Sequence, residues 1–289
     1  VIEVAMPRRL DDEDDDAPRP KKKKKRKPPP KSNKGLIIGL AIAGGVLLLG
    51  GVATTVYFLT RSDPKPEQKR EEFPGMLAHW SFDDSTGKDQ TGRGNDGRLV
   101  GGSFGPGKKG NALVLEGRDD QYMDLGQGKD MNFYENGAFT VALWYKTNER
   151  VGTLFSLRHA EMPATIDLFV RDNHALGIVG DDTDDGSGPA RHAFCWCHPL
   201  NDGQWHHVAL MRYENFIEIF YDGNSQGKDT HGACRGKITT SLRAIGCEKK
   251  FVQEEEKRFG RAGFRGTIDE VYLFNRPMAQ DEILKLMKR

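Results

Sequence analysis

The longest uninterrupted apolar stretch lies near the start of the chain. From Gly35 to Thr60 no residue carries a charge, and Leu36, Ile37, Ile38, Leu40, Ile42, Val46 to Leu49, Val52, Val56, Phe58 and Leu59 dominate. A helix over residues 36–59 reaches about 36 Å, enough to cross a hydrocarbon core of about 30 Å. A core helix of that length would carry a polar face, and this stretch has none. The pattern predicts one membrane-spanning helix over 35–60, with Tyr57 as an interfacial anchor. Gly51-Val52-Ala53 loosely fits a leader cleavage site, but the apolar run continues past it to Leu59. An uncleaved anchor is therefore expected.

From Met76 onward the pattern changes to short apolar runs broken by Gly, Asn and Asp clusters, the signature of an all-β sandwich. Strands are predicted at Leu77–Phe82, Ala112–Leu115, Tyr122–Leu125, Phe139–Lys146 and Thr153–Leu157, then Ile166–Arg171 and Ala175–Val179. His206–Tyr213, Phe216–Tyr221 and Thr267–Phe274 complete the set. Tyr221-Asp222-Gly223-Asn224 supplies turn chemistry after a strand. Met278–Met287 follows Pro277 and repeats Ile283, Leu284 and Met287 at helical spacing, so one short helix closes the chain. No Gly-rich strand-to-helix element points to a nucleotide site.

Charge adds an organisation that the average hides. The formal net charge of +1 arises because an acidic block at 11–16 offsets a basic one at 21–27. With few apolar residues and five prolines between 18 and 30, residues 1–34 are expected to be a disordered tail. Lys21 to Lys27 read better as a topology signal before the span than as an anionic-lipid or nucleic-acid patch, so no nucleic-acid partner is expected. The excess of bases before the span places the tail in the cytoplasm and the large domain outside it. Residues 61–75 form a polar linker, and 76–289 the folded domain, a length suited to one large β-sandwich. Gly35, Gly39 and Ala43 lie four apart, the spacing of a helix-pairing stripe, although small residues are common in spans in any case.

Five blocks in order carry a family resemblance. They are Ala78 to Asp83 with Asp89 to Gly97; Gly110 to Leu113 with Tyr122 to Leu125; Phe139 to Trp144; Trp205 to Leu210 with Tyr221-Asp222-Gly223; and Gly266 to Val271 through Phe274 to Pro277 and Glu282-Ile283. Together they resemble laminin-G-like jelly-roll domains of the concanavalin A-like lectin/glucanase superfamily. The resemblance implies two antiparallel sheets packed face to face. It also implies a calcium ion held between the first and last strands, for which the matching positions are Asp83, Asp89, Asn95 and Asp269. Oxygen ligands of this kind suit a hard cation. The competing reading is that Asp83 and Asp269 only satisfy turn amides.

Other residues that invite chemistry have plainer readings. Trp144 and Trp205 could stack on sugars, but their apolar neighbours make them core residues. His206 and His207 are expected to be buried or partly buried beside a strand. Asp181 to Gly186 resembles the start of a calcium loop, yet His192 stands where the closing Glu should be, so a solvated acidic loop is expected. The four cysteines, Cys195, Cys197, Cys234 and Cys247, are an even set in an extracytoplasmic domain and read as disulfides. Cys195 and Cys197 point the same way along a strand, so each should bond one of the other two, with a Cys234–Cys247 staple as the alternative. His192, Cys195, Cys197 and His198 are possible zinc ligands, but at no standard structural spacing.

A glucanase would need two carboxylates converging in a cleft. No strand here alternates Glu, Asp and Glu on one face, and Glu214, Glu218 and Asp222 are too far apart along their strand pair. The expectation is a non-catalytic module for a glycan or an extracytoplasmic protein. A polysaccharide hydrolase or lyase and a structural envelope or adhesion protein are the alternatives. Fold alone does not choose among them.

Overall fold

The computed structural model describes residues 72–128, 131–134, 137–161, 164–172, 174–182, 191–194, 201–213, 216–229, 236–249 and 263–289. The expected tail, span and most of the linker lie outside these residues, as do Cys195, Cys197, Cys234 and His198. Among the described residues no helix is long and apolar enough to cross a membrane. They all belong to the unit Arg70–Arg289.

Fifteen strands and one helix are described: β1 Met76–Trp80, β2 Arg98–Val100, β3 Ser103–Pro106, β4 Asn111–Glu116, β5 Tyr122–Asp124, β6 Phe139–Lys146, β7 Val151–Arg158, β8 Thr165–Arg171, β9 His174–Gly180, β10 Arg191–Phe194, β11 Trp205–Arg212, β12 Ile217–Tyr221, β13 Asn224–Asp229, β14 Leu242–Ile245, β15 Arg265–Phe274 and α1 Gln280–Leu286. They form the expected two-sheet antiparallel sandwich. One sheet has eight strands in the order β13-β12-β11-β6-β15-β4-β3, with β1 also beside β15. The other has seven in the order β10-β9-β8-β7-β14-β5-β2.

Strand β15 organises the first sheet. It pairs with β6 along its length, and its other edge is shared. Arg265 to Ile268 lie beside β4, and Val271 to Phe274 lie beside β1. Asp269 and Glu270 fall at the handover, where the register against β6 slips and Glu270 takes a φ of 50°. A β-bulge explains both features: an extra residue enters one strand, and successive side chains no longer alternate strictly.

The inter-sheet core contains Trp80, Phe82, Phe139, Val141, Leu143, Tyr145, Phe155, Leu157, Val208, Leu210, Ile268, Val271 and Leu273. Burying each such side chain contributes roughly 1.5–3 kcal/mol. Strand β6 shows why both its faces are apolar. Phe139, Val141, Leu143 and Tyr145 face the core. Ala142, on the other face, packs with Ala209, Met211, Phe220, Tyr272, Phe274 and the α1 residues Ile283 and Leu286. The helix therefore covers part of the outer face, which sequence alternation alone does not reveal.

Two expectations are corrected here. The first strand ends at Trp80 rather than Phe82. Phe82 has a φ of 59° and is fully buried, so the chain turns sharply to seat its ring in the core. Asp181 and Asp182, expected in a solvated loop, instead anchor the segment before β14. Asp181 accepts the Gly236 N–H at 2.7 Å, and Asp182 accepts the Thr239 N–H at 2.9 Å and its hydroxyl at 2.6 Å.

Candidate functional site at the bulge of the last strand

The bulge places Asp269 and Glu270 together on the outer face of the eight-stranded sheet. Asp269 lies opposite Trp144 on β6, whose ring is on the outer face. Glu270 Oε2 accepts from the Tyr272 hydroxyl at 2.5 Å and lies 2.6 Å from His79 Nε2 on β1. The His79 and Tyr272 rings stack at 4.1 Å. Lys109 Nζ lies 3.7 Å from Glu270 Oε1, an oxygen that is buried and accepts no hydrogen bond among the described residues.

The turn between β3 and β4 lies over Asp269. Asp269 Oδ2 accepts the Lys109 N–H at 3.0 Å, and Oδ1 accepts the Glu270 N–H at 2.8 Å. Gly107 and Gly110 close this turn, with the Gly107 N–H donating to the Gly110 carbonyl at 2.9 Å. A Cβ at Gly107 would collide with the Asp269 carboxylate. One at Gly110 would collide with the Asp83 carboxylate, at a positive φ of 50°. Asp83 and Asp269 therefore flank a single glycine turn. Lys108 from the same turn lies over the Trp144 ring, 4.4 Å from its centroid.

The two adjacent acids are held differently. Burial is the main influence on Asp269 and pushes it up to about 7. The Glu270 charge adds to the rise, and the backbone N–H groups of Lys109, Glu270 and Lys108 oppose it. Burial also works to raise Glu270, but hydrogen bonds from His79 and Tyr272, with the His79 and Lys109 charges, hold it below its ordinary value. Burial, with the charge of Glu270 and the hydrogen bond to it, drives the Tyr272 hydroxyl well above its usual range.

Asp89 and Asn95 do not join this pair. Asp89 is buried and its oxygens are occupied. It accepts the His79 N–H at 3.1 Å, the Thr91 N–H at 3.0 Å, the Thr91 hydroxyl at 2.7 Å and the Asn95 N–H at 3.3 Å. The Asn95 amide donates to the Leu77 carbonyl at 2.9 Å, and the Trp80 indole donates to the Asn95 carbonyl at 2.8 Å. These two residues fasten the 89–95 turn to β1. Among the described residues no three His, Cys, Asp or Glu side chains cluster as a metal-ligating group. Of the four positions expected for calcium, Asp83 and Asp269 meet at the glycine turn; both Asp269 oxygens accept backbone N–H groups, and Glu270 Oε1 faces the Lys109 ammonium.

The other candidates sort by burial. Trp144 is buried, 8% exposed. Trp205, expected in the core, is half-buried at the start of β11 on the outer face. His207 is fully buried edge-on to Trp144, their ring centroids 5.2 Å apart, and burial drives it down to about 4, so it is neutral. Among the described residues neither of its ring nitrogens has a hydrogen-bond partner. Cys247 is buried, with Sγ 3.4 Å from the carbonyls of Asp119 and Glu248. Glu218 is also buried and accepts the Ser225 hydroxyl at 2.5 Å, which is a structural use. Sequence reasoning missed Glu270, His79, Tyr272 and Lys109 as neighbours, because strict alternation would put Asp269 and Glu270 on opposite faces.

The sequence profile of the laminin-G-type concanavalin A-like lectin/glucanases superfamily matches residues 117–284, more than half of the chain. The chain belongs to this superfamily. No curated protein sequence matches it. Solved structures share the superfamily's fold at low identity. Domain 4 of AbnA, an extracellular arabinanase from Geobacillus stearothermophilus solved with arabinotriose, aligns with a TM-score of 0.51 and 19% identity, covering 73% of this chain and 98% of that one. The binding domain of Paraclostridial Mosquitocidal Protein 1 aligns with a TM-score of 0.59 and 11% identity, covering 75% and 52%. The ligand-binding domain of botulinum neurotoxin serotype D, solved with N-acetylneuraminic acid, gives 0.52 and 11%, covering 74% and 50%. This chain thus spans about half the length of the two toxin domains. At these identities the likeness is one of fold.

Proposed function

We propose that this chain is a non-catalytic binding module. A membrane span over residues 36–59 would hold it, with the tail cytoplasmic and the sandwich outside, and its partner would be a glycan or an extracytoplasmic protein. One observation carries the reading. The most perturbed acid, Asp269, has no exposed surface and both its oxygens accept backbone N–H groups. Such an acid orders a loop; a general acid must reach substrate. Two of the similar folds were solved with a sugar bound, which supports a glycan as the first ligand to test.

Calcium belongs to the same proposal. Asp83 and Asp269, with Glu270 Oε1 available, would hold it, and it would fix the 107–110 turn. A cation there would relieve the cost of ionising a carboxyl that burial otherwise keeps near neutrality. The melting temperature of the full chain, measured with calcium, with zinc and with chelator, tests this part. A rise with calcium that Asp269→Asn abolishes is expected. Equal melting with calcium and with chelator overturns the ion.

A hydrolase or lyase is the second reading, and a specific feature favours it: one acid near 7 beside another held low, the pairing that acid–base chemistry uses. Product formation from polysaccharides that is lost in Asp269→Asn would establish it. An inert protein that retains ligand supports the binding module.

A further inference from the structure

His206 is the second residue of β11, its side chain only 14% exposed, on the face opposite His207. Its Nδ1 lies 3.0 Å from Asp222 Oδ2, and its Nε2 lies 3.0 Å from Asp202 Oδ1. A neutral imidazole has one N–H and one lone pair. Placed between two carboxylates, its lone pair would face an anion; only the doubly protonated ring donates on both sides. The geometry is that of an imidazolium.

The two acids belong to different parts of the fold. Asp202 sits in the 201–204 turn, where its Oδ1 also accepts the Gln204 N–H at 2.8 Å and the Gly203 N–H donates to the Thr147 carbonyl at 2.9 Å. Asp222 starts the β12–β13 hairpin turn with a φ of 44°, and Gly223 follows at 79°. Two successive left-handed residues give the turn that matches strand twist, and Asp-Gly is a favoured pair for it. Asp222 is held there by its own N–H donating to the His207 carbonyl at 2.8 Å and by its Oδ1 accepting the His207 N–H at 2.8 Å. Gly223 in turn seats the helix: a Cβ there would strike Leu284, and its carbonyl accepts the Gln280 amide at 3.0 Å.

We propose that His206 is a proton-operated clasp, which fastens the 201–204 turn to the β12–β13 hairpin while it carries two ring protons and releases one side when it loses a proton. The hairpin is also the seat of α1, so release loosens the corner of the sheet where the helix docks. The titratable groups facing His206 are Asp202 from the turn, Asp222 from the hairpin, the Tyr221 ring stacked at 5.1 Å and the Tyr145 ring of β6 at 6.3 Å. Burial opposes the charged ring, but the hydrogen bonds and charges of Asp222 and Asp202 outweigh it and hold His206 above its ordinary value. Asp202 is held below its own, burial again being outweighed, by the Gln204 N–H and by His206. A raised histidine contributes stability that is fully present below about pH 6.5 and is lost as pH rises through the folded value. The clasp is therefore closed in mildly acidic surroundings and opens on the alkaline side.

The test is a histidine-ring NMR titration of the full chain, with amide exchange of His207 and Asp222 followed over the same pH range and corrected for intrinsic base catalysis. The His206 ring is expected to titrate above pH 6.5, and protection of both amides to fall about tenfold across that titration. His206→Gln should give the high-pH protection at every pH. Asp202→Asn, which keeps the shape of the turn, should lower the midpoint of the His206 titration. A midpoint at or below 6.5, or protection that stays constant through the titration, overturns the clasp. If His206→Gln does not fold, the wild-type titration and Asp202→Asn still decide.

Discussion

Asp269 and Glu270 are neighbours in sequence, yet their surroundings set them apart. Asp269 has only N–H dipoles to offset its burial, whereas Glu270 has a tyrosine hydroxyl, a histidine ring and a lysine. The Tyr272 hydroxyl bond is therefore central to keeping Glu270 in place. Tyr272→Phe leaves the ring stacked on His79 and removes the donor, so denaturant unfolding should report a loss of about 1–2 kcal/mol. A variant as stable as wild type would mean that the bond contributes nothing. Asp83 and Asp269 were legible in the sequence because they sit in recognisable blocks. Glu270, His79 and Lys109 were not, because their meeting depends on a bulge and a strand handover, and His79 and Glu270 lie 191 residues apart in the chain. Asp89 and Asn95 were legible as polar residues of the first block; the structure uses them to fasten their own turn to β1.

At the scale of elements, the strands with alternating or continuous apolar residues were legible. The polar edge strand β13, Asn224–Asp229, was not, nor were the short strands β2 and β3, which Gly101 and Gly102 separate. Edges carry few apolar residues because one side of each is unpaired. The helix was legible, but not its role of covering the outer face. Its start rests on Glu282, which accepts the Ala279 N–H at 2.9 Å and pairs with Arg276 at 2.7 Å. Ala279 has no side-chain oxygen, so only this half of a capping box forms. Glu282→Ala should cost about 1 kcal/mol. Ile283→Ala, at a fully buried position against Phe220 and Tyr272, should cost about 2–4 kcal/mol. Chemical denaturation of both variants checks the ranking; an equal or reversed order would mean that the helix docks less tightly than its burial implies.

At the scale of the whole molecule, the organisation proposed above, a charged cytoplasmic tail, a span and an outer domain, would account together for the charge pattern and the apolar run of the sequence. An oxidising compartment would follow from that proposed arrangement, and in it each of Cys195 and Cys197 is expected to be linked to Cys234 or Cys247. Peptide mapping of the full chain without reductant would find those links, whereas four alkylatable thiols would overturn the pairing. The central claim, that the domain binds without turning over its ligand, is tested most directly by one measurement. The full chain is incubated on arrays of immobilised glycans and extracytoplasmic proteins, in calcium and in chelator, and both retention and the length of any bound glycan are read. The account predicts a retained ligand of unchanged length that chelator releases. A glycan shortened on contact would contradict it.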